Sequence, residues 1–112
     1  MQNDGRQFLM TAAWLFLRHG QRERARTLIE ALVEDDPRDG VSAAALAELL
    51  LDAGEAPRAL DVIRMATFPA ELAHAEAVLE SRALRLVGRH GEADARWRRY
   101  LESRKGTERR WV

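Results

Sequence analysis

Residues 6–39 read RQFLMTAAWLFLRHGQRERARTLIEALVEDDPRD. Two helix-periodic stretches meet at Gly20, and Asp36-Pro37 closes the second of them. The skeleton of this segment, Ala13, Phe16, Gly20, Ala25 and Ile29, returns twice. Gly20, Gly54 and Gly88 stand 34 residues apart, and each is followed five residues later by an alanine, Ala25, Ala59 and Ala93. Large apolar residues occupy a further column, Ile29, Ile63 and Trp97, and another before the glycine, Phe16, Leu50 and Leu84. Ala13, Ala47 and Ser81 keep the remaining column small. Such a register has to be recognised before any single element, because it decides the architecture.

Each column has a physical meaning. The glycine ends the first helix of a pair and permits a left-handed turn that other residues resist. The small residue of the first helix and the alanine of the second lie where the two helices cross most closely. The large residues fill the grooves beside that crossing. A helix pair with apolar surface on more than one side must stack on a neighbour. The expected architecture is therefore all-α: three tetratricopeptide-like helical hairpins stacked as a short right-handed superhelix. Its single domain spans 6–107, in repeats of about 6–39, 40–73 and 74–107, with flexible tails at 1–5 and 108–112. The expected helices are Arg6–His19 and Arg22–Asp35, then Asp39–Ala53 and Ala56–Ala66, then Ala70–Val87 and Arg89–Arg104. Pro57 falls in a first turn, where proline is tolerated, and Phe68-Pro69 marks a break. Glu80 and Arg85 replace apolar residues of the earlier copies, which suits a last repeat whose outer face meets water.

Composition agrees. A chain of 112 residues fits one domain, and it is rich in the helix formers Ala, Leu, Arg and Glu. Eighteen basic residues balance eighteen acidic ones, so the overall field offers nothing general to nucleic acid or anionic membrane. No cysteine is present, which excludes disulfides and thiolate-bound zinc. The apolar run Phe8–Leu17 follows an acidic residue and ends at Arg18-His19 rather than at a small-residue cleavage site. It is also too short to span a bilayer, so a cytoplasmic location is expected.

The 34-residue period with its small and large columns resembles the tetratricopeptide repeat family over nearly the whole chain. A narrower resemblance rests on Trp14, Leu15, Gly20, Glu23, Arg24, Ala25, Leu28, Leu32 and Pro37, with Gly88, Ala93 and Tyr100-Leu101-Glu102. These resemble the YscY family, small tetratricopeptide-type chaperones of bacterial type III secretion. That resemblance implies a cytoplasmic chaperone for a small export substrate of YscX type, with the export gate as a second contact. Needle-subunit chaperones of YscG type share the fold and size.

In stacked hairpins the first helices line a concave face. Counting from the packing columns places Gln7, Met10, Trp14, Leu17 and Arg18 of the first hairpin on it. Val41, Ala44, Glu48, Leu51 and Asp52 follow from the second, and Ala75, Val78, Arg82, Arg85 and Leu86 from the third. Met10, Trp14, Leu17, Arg18, Val41, Leu51, Val78, Arg82 and Leu86 are the candidate partner-binding residues. An apolar row edged by charges suits an amphipathic helix or an extended apolar segment, and Trp is enriched at binding hot spots. The alternative is that Trp14 and Leu17 are core, buried by stacking. Both stay open at the level of sequence.

Other chemistry finds little footing. From Arg89 onward there are eight basic and four acidic residues, interleaved with Trp97, Tyr100 and Trp111. Trp97 and Tyr100 fall on apolar columns, so core placement with a solvated arginine face is the simpler reading, and no nucleic-acid partner is expected. His19, His74 and His90 lack the spacing of metal ligands. No phosphate loop, nucleophile–base pair or paired carboxylates in a cleft can be drawn, so the chain is expected not to be an enzyme and to need no cofactor. A self-associating scaffold, a homo-oligomer formed through the end hairpins, is the competing class.

Overall fold

The glycine column does its work three times over. Gly20, Gly54 and Gly88 have φ of 74°, 80° and 85°. Around them the hydrogen bonds repeat: Gln21, Glu55 and Arg89 donate their backbone N–H to the carbonyls of Phe16, Leu50 and Leu84, each at 2.8 Å. The glycine N–H groups donate to Leu17, Leu51 and Arg85. This paired closure of a helix C-terminus needs a left-handed residue at its centre. The residue after each glycine then starts the next helix, because its carbonyl accepts from Ala25, Ala59 or Ala93.

In this computed structural model, which describes residues 3–109, the chain is all-helical, with six helices and, among the described residues, no strand. They are α1 (Asn3–Arg18), α2 (Arg22–Asp35), α3 (Gly40–Asp52), α4 (Ala56–Met65), α5 (Ala73–Leu86) and α6 (His90–Arg109). A 3₁₀ turn, Ala70–Leu72, precedes α5 where the α-helix was expected to begin. Helix α1 starts three residues before its expected first turn, and α6 runs through Gly106 to Arg109. Trp111 lies outside the described residues.

Consecutive helices pack in pairs, α1 with α2, α3 with α4 and α5 with α6. Contacts of α2 with α3, α4 with α5 and α3 with α5 join the pairs. The small columns are the tightest points: Ala13, Ala47, Ala25, Ala59 and Ala93 are fully buried, and Ser81 is nearly so. Ile29, Ile63, Leu50 and Leu84 fill the spaces beside them. Trp97 is half-buried, edge-on to His74 at 6.0 Å and tilted against Tyr100 at 5.4 Å.

Helix α3 is the most enclosed. Along it Gly40, Ser42, Ala43, Leu46, Ala47, Leu49, Leu50 and Leu51 are buried. Its start is pinned by Asp39, whose carboxylate accepts from the Val41 N–H, the Ser42 hydroxyl and Arg6. Arg6 also reaches Asp35 and the Leu32 carbonyl, so one side chain of α1 ties the end of α2 to the start of α3. The connection after α4 returns to the same place, with the Thr67 N–H donating to the Arg38 carbonyl at 2.9 Å.

Candidate functional site

A trough of about 440 Å³ opens across the first helices of all three pairs. From α1 it takes Trp14 and Leu17. From α3 come Ala44, Ala45, Glu48 and Leu49, and from α5 His74, Ala75, Val78 and Leu79. Three alanines keep the floor low, and larger apolar side chains rise around it. Trp14 is 61% exposed on one wall, so its indole is open to solvent rather than core. Leu17 is half-buried and packs on the core while still lining the trough. Val78, at 39%, stands on the far wall.

The other expected residues separate. Met10 and Val41, with Gln7, line a second hollow of about 430 Å³ between α1 and the start of α3, floored by Arg6, Leu32 and Asp39. Arg82 and Arg85 border a smaller hollow with Val78, Ser81 and Trp97. Arg18 and Leu86 are exposed at helix C-termini and line neither the trough nor these hollows. Leu51 corrects the expectation: it is 4% exposed and belongs to the core. Its helix exposes a stripe of Val41, Glu48 and Asp52, and Leu51 projects about 80° round from that stripe. Seven residues earlier and on nearly the same side, Ala44 still lines the trough, so neighbours cover this flank of α3 only toward its C-terminal end.

Sequence reasoning missed Ala45, Leu79, Leu49 and His74. The first two share a column of the repeat, 34 residues apart, so the period already carried the signal for them. Nothing in the sequence marked His74, which is placed by its ring contacts to Trp97 and Tyr100. Glu80 also departs from expectation. It is not on a solvated outer face: its side chain is 13% exposed and accepts from Arg96 at 2.6 Å and Arg64 at 3.3 Å.

Charges bound the trough on one flank. Arg22 and Arg82 both bind Asp52, at 3.1 and 3.0 Å, and Arg82 reaches on to Glu48 at 3.6 Å. The Arg82 guanidinium, opposed by partial burial and backed by Arg22, holds the Asp52 carboxyl below its ordinary range. The four side chains form a ladder from α2 through α3 to α5, ending at Glu48 inside the trough. Among the described residues no three His, Asp or Glu converge to hold a metal. None of the described helices is long and apolar enough to cross a membrane.

A further apolar strip lies elsewhere on α1. Phe8 is 73% exposed and Leu15 52%; seven residues apart, they share a face about 110° round from Trp14. No protein-family model and no curated protein matches the chain.

Proposed function

We propose that the six helices form three tetratricopeptide-like hairpins in a short right-handed superhelix. We further propose that the chain is a cytoplasmic chaperone of a bacterial type III secretion system, of the YscY kind. Its concave trough would receive an apolar helix of a small export partner. The observation that carries this is the trough itself, an apolar concavity built from α1, α3 and α5 with a solvent-open tryptophan on its wall. The backbone groups of helices are spent internally, and among the described residues there is no sheet edge to extend. Docking therefore relies on side chains in a groove, the manner in which amphipathic helices are held. Burying the partner's apolar face contributes about 25 cal/mol per Å² before association costs.

The test is co-expression with a YscX-type export protein. The complex is expected to melt above the chain alone. Trp14→Ala is expected to weaken it by about 2 kcal/mol with helical circular dichroism retained, since Trp14 is largely exposed. Unchanged affinity in both Trp14→Ala and Leu17→Ala would place the partner elsewhere.

The strip of Phe8 and Leu15 favours a second reading, a scaffold that associates with its own copies through α1. Sedimentation of the wild type against Leu15→Arg separates the two, because only self-association through that face is lost in the variant.

A further inference from the structure

The trough has a chemical bias that its apolar floor hides. In the ladder beside it, Asp52 is bound by two arginines at normal salt-bridge distance, whereas Glu48 shares only Arg82, at 3.6 Å. The Glu48 side chain is 58% exposed and forms part of the trough wall. Arg82 donates to Asp52 at 3.0 Å and reaches Glu48 only loosely, so a carboxylate with free acceptor sites stands beside an apolar floor.

We propose that Glu48 selects the occupant: an amphipathic helix whose apolar stripe is flanked, on the ladder side, by a lysine or arginine. This rests on the trough being the binding site. Two features of the site converge on such a helix. Ala44, Ala45 and Ala75 leave depth for bulky side chains to descend, and the single charge on the wall that lacks a close partner is negative. Docking an apolar helix removes water from around Glu48. An uncompensated carboxylate would then oppose binding, and a cation at that edge would relieve it. A glutamate at the same edge would face Glu48 directly and be rejected, so one residue supplies both the attraction and the exclusion.

The experiment uses two synthetic 14-residue helical peptides as probes. Both carry leucines at i, i+3, i+4 and i+7, with either lysine or glutamate flanking the stripe. Affinities are measured by fluorescence anisotropy at low and high salt. On the wild type the lysine peptide is expected to bind about fivefold more tightly, with the margin shrinking in salt. Glu48→Gln is expected to erase the preference and Glu48→Lys to reverse it. The same order of affinities in all three proteins overturns the proposal. Ala44→Leu, which fills the floor, keeps this failure distinct from failure of the site. If it abolishes binding of both peptides while they show no charge preference, selection by Glu48 is excluded and the trough remains. If Ala44→Leu leaves binding unchanged, or neither peptide binds at about 1 mM, the trough itself is excluded.

Discussion

A methyl group added to Gly40 would sit 2.8 Å from the Phe68 Cα and 2.8 Å from the Thr67 carbonyl oxygen. Both are backbone atoms that cannot swing aside as a side-chain end can. Gly40→Ala is therefore expected to cost about 2 kcal/mol in urea unfolding, whereas at Gly91 the same change meets open space and is expected to be neutral or stabilising. Equal stability of the two variants would refute the close approach. The contrast also marks what can be read from residue order. Gly20, Gly54 and Gly88 were legible because a local turn demands them. Gly40 was not, because its need arises where a distant loop returns. Leu51 failed for a related reason. Periodicity finds an apolar residue and its angle on the helix, but it does not register a neighbour that covers the flank.

Pairs of helices were read more fully than single side chains. The turns, the alanine crossings and the large apolar columns all follow from local chemistry repeated at a fixed interval. The 3₁₀ turn before α5 was not read, since Pro69 announces a break without saying which helix type follows. Nor was the part played by Glu80, a charge in an apolar column. With Arg96 it forms a largely enclosed ion pair between α5 and α6, the two side chains 11% and 13% exposed. Removing Arg96 leaves Glu80 enclosed with only the longer contact to Arg64, at 3.3 Å, so Arg96→Ala is expected to destabilise by about 2 kcal/mol. Joint replacement, Arg96→Met with Glu80→Leu, is expected to recover most of that loss. Chemical denaturation of the two variants checks it; a double variant no more stable than the single would show that stranded charge is not the cause.

Across the molecule, carboxylates tie one helix pair to the next. Arg58, opposed by burial and helped by Arg26, holds the Glu30 carboxyl below its usual 4.5, and Arg82 does the same to Asp52. At Asp39 burial opposes ionisation, but Arg6, Ser42 and the Val41 N–H outweigh it and leave the carboxyl below its usual 3.8. The unfolded chain binds protons at these groups before the folded one does. Their stabilisation is thus complete above the ordinary carboxylate range and is lost as pH falls through the lowered folded values. Glu76 runs the other way: burial raises its pKa, so its ionised form is penalised in the fold. Glu55 and Glu92, held down by Arg26 and Arg89, add to the lowered groups, and five lowered carboxyls against one raised predict a urea midpoint that is level near neutrality and falls below about pH 4.5. A midpoint unchanged down to pH 3 would contradict the ties. The radius of gyration, 15.1 Å, exceeds the roughly 13 Å of a compact ball of this length. The contacts of α2 with α3, α4 with α5 and α3 with α5 are where these bridges act.

The three glycine turns have an implication for synthetic chemistry. Each has positive φ and nothing within 4 Å of where a side chain would emerge. In mirror-image amino acids that torsion is the relaxed one. A ligated chain carrying D-alanine at position 54 should therefore melt higher than the natural one, by up to about 1 kcal/mol of stability. Its L-alanine twin should lose a similar amount or more. At these three points the fold favours the opposite chirality.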